Sequence, residues 1–192
     1  MFSAYDHFRS AVFDRIEQFV NRKYWQTELA VAVWLYAGFV AFPSFDIFST
    51  EFAPAWASMY QHAAHMLEPM NYGPESHEAK MTFRLFFPVL VNLLHIGPAA
   101  VLALKFLAGF LAGLLFIKAC YRISGDPVLT VLLTLALACT HMPRCTFDIS
   151  GKLDTFAYLF LLLPLAFRNP LIAFTGIFLA AWVDERGLIA SS

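Results

Sequence analysis

Residues 99–121 read AAVLALKFLAGFLAGLLFIKACY, an apolar run broken only by Lys105 and Lys118. About 20 such residues cross the ~30 Å hydrocarbon core of a bilayer. In water, a run like this must be wrapped on all sides by other chain. Further apolar runs at 27–43, 128–143, 155–167 and 171–183 compete for the same shelter. The 192 residues are 59% hydrophobic and 14% charged, against about 25% charged in a soluble domain. That is too little charge to cover a surface in water, so the sequence predicts an all-α integral membrane protein.

Five runs give about five transmembrane helices: 27–43 (ended by Pro43), 99–121, 128–143, 155–167 and 171–183. The last two are short for full crossings and imply snorkelling ends or a locally thinned bilayer. Residues 1–26 precede them as a separate region. There, Phe8, Val12, Phe13, Ile16, Phe19 and Val20 recur at helical spacing, with Arg9, Asp14, Arg15 and Glu17 opposite. This predicts an amphipathic interfacial helix, followed by a cytoplasmic anchor at Arg22, Lys23, Tyr24 and Trp25. It has no apolar h-region or small-residue cleavage site, so no secretory signal is expected. Residues 27–192 form the transmembrane domain, with residues 44–82 as its external loop.

Residues 83–98, FRLFFPVLVNLLHIGP, carry Arg84, Pro88, Asn92 and His95. They read as a short re-entrant or juxtamembrane segment, not a span. Without a crossing there, Arg9, Arg15, Arg22, Lys23, Lys118, Arg122 and Arg168 all fall on the side of the N-terminus. Basic residues collect in the cytoplasm, so the N-terminus is expected there, and a bacterial inner membrane fits. Gly109 and Gly113 form a GxxxG, expected to pack helices within the chain.

The net charge of −1 and the lack of a basic stripe exclude nucleic acid as a partner. The three cysteines have no metal spacing. Cys120 and Cys139 read as core thiols and Cys145 as an exposed loop residue. His62 and His65 could face a metal together, but no further ligands stand at fixed spacing, so no metal or other cofactor is expected.

The external face gathers Asp46, Glu51, Asp148 and Asp154 near helix ends. The plain reading is helix caps and solvated loop charges, with Asp154 as the N-cap of 155–167. Carboxylates at a membrane interface also suit general-base work beside a bound phosphosugar.

The order of elements resembles the N-terminal module of the GT-C superfamily of membrane glycosyltransferases. It has one span, a long loop with an early acid (Asp46 in FPSFDIFSTEF) and a helix (AWASMYQHAAHML). A Pro-containing segment (HEAKMTFRLFFPVLVNLL), a long span, a return span and GKLDTFAYLFLLL follow. The resemblance implies a polyprenyl-phosphate sugar as donor. It implies Asp46 as catalytic base, Asp154 as second acid, and Lys80 and Arg84 as cations for the lipid phosphate. Asp46 lacks the second acid that often follows it in the family. The crossings number fewer than the family's roughly seven, and DERGLIASS does not read as a finished C-terminus. A partial module is therefore expected.

The alternative is a non-catalytic membrane subunit or scaffold packed among other membrane proteins and lipids, which the small size, the 21 phenylalanines and the GxxxG favour. A third reading, a transporter or proton relay using Lys105 and His95 inside the membrane, shows no obvious acidic partner for the lysine in the sequence.

Overall fold

The computed structural model describes residues 2–41, 53–66, 68, 84–140, 145–149 and 153–184. The described residues form eight long α-helices. They are α1 (Phe2–Val20), α2 (Trp25–Ala41), α3 (Ala53–Ala64), α4 (Phe86–Leu94), α5 (Pro98–Ser124), α6 (Pro127–Ala138), α7 (Asp154–Ala166) and α8 (Pro170–Val183).

Helix ends follow local chemistry. Pro98, Pro127 and Pro170 occupy first helical positions, where a missing N–H costs nothing. The Asp126 carboxylate accepts from the amides of Val128 and Leu129, and Asn169 accepts from Leu171. Gly125 ends α5 at φ 67°, a left-handed conformation that glycine adopts without strain. His95 ends α4 the same way at φ 50°.

Helix α5 has 27 residues and a mean hydropathy of 2.4 in its most apolar stretch. It alone among the described helices is long and apolar enough to cross a membrane. The other expected crossings are shorter: 17 residues in α2, 12 in α6, 13 in α7 and 14 in α8. At 1.5 Å per residue they measure about 18–26 Å. Five helices of full crossing length are therefore not what the fold presents. Helix α6 stops at Ala138, short of the end of the apolar run at 143, and Pro164 weakens the end of α7. Among the described residues of segment 83–98, α4 has nine residues, about 13 Å along its axis.

Helix α5 is the spine. Trp25, Leu29 and Ala30 of α2 meet Ile117 of α5 and Val131 of α6, with Ile16, Phe19 and Val20 of α1 against them. The amphipathic helix thus docks its C-terminal apolar residues on the bundle, while Val12 and Phe13 stay exposed. At the other end of α2, Ala37 meets Phe147, beside Trp34 and Phe106 of α5. Helices α2 and α5 are therefore antiparallel. So are α7 and α8, since Val183 packs near Phe156 and Ala157, and Gly176 lies against Phe160 and Leu163.

This alternation sorts the charges. Arg22, Lys23, Lys118, Arg122 and Arg168 gather where α2 begins and α5 and α7 end. Arg122 reaches the carbonyls of Leu165 and Ala166, satisfying the C-terminus of α7. Asp148, Asp154 and Asp184 lie at the opposite end.

Two cysteines depart from expectation. Cys145 is 4% exposed because residues 145–147 form a helical turn packed into the bundle. Cys139, at the C-terminal cap of α6, is exposed.

Candidate functional site

The acidic end is built on helix α4. Phe86 packs on Phe156 and Phe160 of α7, with ring centroids 5.2 and 5.5 Å apart. Arg84 lies two residues before Phe86, and Asp154 two residues before Phe156. One aromatic contact thus brings two of the predicted site residues to the same end. The other two, Asp46 and Lys80, lie outside the described residues.

Arg84 forms an ion pair with Asp184 at 3.3 Å. The side chains are 19% and 6% exposed, so the pair is largely withdrawn from solvent. Unpaired charges there would cost several kcal/mol. Asp184 caps the end of α8 and enters the site through the α7–α8 hairpin. The short turn between α7 and α8 returns Asp184 to the side of Asp154. The pairing of Asp184 with Arg84 left no local sequence signal.

Asp154 is not the N-cap of α7. Leu153 holds that position, and Asp154 is the first helical residue. Its carboxylate still lies at the positive end of the helix dipole.

Lys105 is 1% exposed and donates from Nζ to the backbone carbonyl of Asp148. A buried ammonium needs such an acceptor. It helps fix residues 145–149, which are held on several sides. Thr146 fits against Gly109, where a Cβ would lie 2.8 Å from the Cβ of Thr146. Phe147 packs on Phe106 and Trp34. The Ile149 carbonyl accepts from Trp56 Nε1 at 2.9 Å. Gly109 of the GxxxG thus serves contact within the chain; a Cβ at Gly113 would meet nothing within 4 Å.

Helix α3 lies over the same end. Met59 and Ala63 meet Phe87 and Val91 of α4 and Val101 of α5. Tyr60 donates to the Ile96 carbonyl, and Asn92 donates to the Ala63 carbonyl. Burial pushes the Tyr60 hydroxyl above its ordinary pKa of 10.0. His62 is 5% exposed, and its Nε2 has no hydrogen-bond partner among the described residues. Burial pushes its pKa below the ordinary 6.5, which favours the neutral ring. His65 is exposed and pairs with Glu68 at 3.4 Å. The two histidines therefore do not share a ligand position. Among the described residues, no cluster of three or more His, Cys, Asp or Glu could hold a metal. His95 is an exposed turn residue, so no relay with buried Lys105 is formed by their placement.

A crevice of about 40 Å³ lies between α2, α5, α6 and α7. Ligand sites for drug-sized molecules run to roughly 300–1,000 Å³, so this crevice is not a phosphosugar pocket. No protein family, curated protein or solved structure was found to match the chain.

Proposed function

We propose that the chain is an integral protein of the bacterial inner membrane, with its N-terminus in the cytoplasm, and a partial glycosyltransferase module of GT-C design. Its substrate is a polyprenyl-phosphate sugar, handled at the acidic end. Membrane embedding is supported by the surface of α5: only 28% of its most apolar stretch is buried. A soluble core helix of that hydropathy would be covered. Leu35, Phe39, Leu171 and Phe174 on α2 and α8 are likewise exposed. The shorter helices complete their crossings with flanking residues and local thinning.

The observation that carries the functional reading is the Phe86–Phe156 contact, which sets Arg84 and Asp154 at one end, beside Asp184. In this reading Asp46 deprotonates an acceptor hydroxyl, whose oxygen then attacks the sugar carbon and expels the lipid phosphate. Lys80 and Arg84 stabilise the leaving phosphate, and Asp154 orients the acceptor. A guanidinium carries five N–H donors, so Arg84 can serve a carboxylate and a phosphate oxygen together. The test is sugar transfer from a labelled polyprenyl-phosphate donor by the full chain in proteoliposomes. Asp46→Asn should abolish transfer with the melting temperature unchanged. Transfer at the wild-type rate by Asp46→Asn would sink the assignment.

A second reading, a non-catalytic subunit of a larger membrane complex, is favoured by the Arg84–Asp184 pair itself. A buried cation already matched by a carboxylate serves folding without any substrate. Crosslinking in intact membranes that captures a partner, with no transfer by the purified chain, would decide for it.

A further inference from the structure

Leu107, Leu111, Lys118 and Arg122 recur along α5 at spacings of four and seven. At about 100° per residue they fall within about 60° of arc, on one face of the helix. All of them are exposed, so the rest of the chain leaves this face open. It is apolar along its length and basic at its end. From Leu107 to Lys118 it runs about 17 Å, about one leaflet of a ~30 Å hydrocarbon core. Both flanks of the basic end are closed. On one, Trp25 at the start of α2 packs on Tyr121, with ring centroids 5.6 Å apart. On the other, Arg122 donates to the carbonyls of Leu165 and Ala166 at the end of α7. Those bonds keep Arg168, two residues beyond Ala166, at the same end.

The charges at this seam are unbalanced. Neither Lys118 nor Arg168 has a side-chain hydrogen bond or ion pair among the described residues. The carboxylate of Asp126, just past α5, is held by the amides of Val128 and Leu129. Glu28 pairs with Arg22 at 3.1 Å. Arg122 uses two of its five N–H donors on carbonyls, which leaves three. A lysine on an apolar face extends its ammonium to the headgroup layer, so Lys118 reaches towards the level of Arg122, one turn further along.

We propose that this seam binds one anionic phospholipid of the leaflet at the basic end. Its phosphate lies between Lys118, Arg122 and Arg168, and one acyl chain lies along Leu111 and Leu107. The exposed leucines single out a lipid, since a free anion would leave them uncovered. A zwitterionic headgroup carries its own cation and gains less from three basic side chains. The inference rests on the membrane reading of the chain and is independent of sugar transfer.

The full chain, purified in detergent, is titrated with phosphatidylglycerol or phosphatidylcholine of identical acyl chains, and bound lipid is counted by native mass spectrometry. One phosphatidylglycerol should be retained in preference to phosphatidylcholine. Lys118→Gln and Arg168→Gln should each lower that preference about fivefold. Both side chains are exposed, so the fold should survive. Arg15→Gln, on α1 outside the seam, should leave the preference unchanged. Glycerol 3-phosphate, an anion without acyl chains, should not displace the lipid. Absence of a preference, an equal loss in all three variants, or displacement by glycerol 3-phosphate overturns the proposal. Flotation with phosphatidylcholine vesicles separates this result from the membrane reading. A chain that floats without preferring the anionic lipid refutes the lipid site alone, and one that fails to float refutes both.

Discussion

The carbonyl oxygen of Phe160 faces Gly176 so closely that a Cβ on Gly176 would lie 2.7 Å from it. Pro164, four residues after Phe160, has no N–H to offer that carbonyl. Helix α8 fills the gap by bringing glycine backbone against it, where a Cα–H can point at the oxygen. Gly176→Ala should force α7 and α8 apart and cost about 1–3 kcal/mol, as overpacking does. The same Cβ would lie 3.2 Å from Pro164 Cδ. Adding Pro164→Ala should therefore recover part of the loss, because it removes that atom and restores the helical hydrogen bond. Thermal unfolding in detergent reads both changes; a Gly176→Ala protein as stable as the parent contradicts the packing.

The Arg84–Asp184 pair ties the start of α4 to the end of α8. Arg84→Met leaves the 6%-exposed Asp184 carboxylate without this guanidinium, and Asp184→Leu leaves the guanidinium without this carboxylate. Each single change should cost about 3–5 kcal/mol, and the double change clearly less than their sum. Additive losses in a double-mutant cycle would show that the two side chains do not interact in solution.

The helix positions were largely legible, and the reasons are local. Pro98, Pro127 and Pro170, the Gly125 stop and the apolar runs all act over a few residues, so the sequence displays them. Helix length was less legible. Hydropathy marks the whole run 128–143 as apolar but does not say that α6 stops at Ala138. The site was legible only in part. Arg84 and Asp154 stand out as charges beside apolar runs. Their common end depends on Phe86 meeting Phe156, a contact between residues far apart in sequence. Lys105 was visible as an anomaly, but its acceptor, the Asp148 carbonyl, is set by the path of the backbone.

Helix α3 should loosen in acid. Burial lowers the His62 pKa below 6.5, so the unfolded segment binds a proton more readily than the docked one. Stability from this group is fully present above about pH 6.5 and falls as pH drops below it towards the folded pKa. The protection factors of α3 amides, taken against the intrinsic exchange rate at each pH, should fall across that window, and His62→Phe should flatten the dependence. An identical pH profile in the variant would assign the effect elsewhere.

The sorting of charges along the bundle gives a topology that labelling can read. Arg22, Lys23, Lys118, Arg122 and Arg168 lie at the end where α5 finishes, and basic residues stay on the cytoplasmic side. Under the proposed topology, with the nine-residue α4 not crossing, loop 44–82 and Asp154 are expected on the opposite face. In a chain whose three cysteines are replaced, a cysteine at Ser76 should react with an impermeant maleimide in intact cells. One at Asn169, in the turn between α7 and α8, should react only after the membrane is opened. The Asn169 position tests the hairpin independently of the loop, because α7 and α8 must both cross for it to be protected. Labelling of Ser76 only after permeabilisation would invert the topology, and would put Asp154 and Arg84 on the cytoplasmic face, away from an external acceptor.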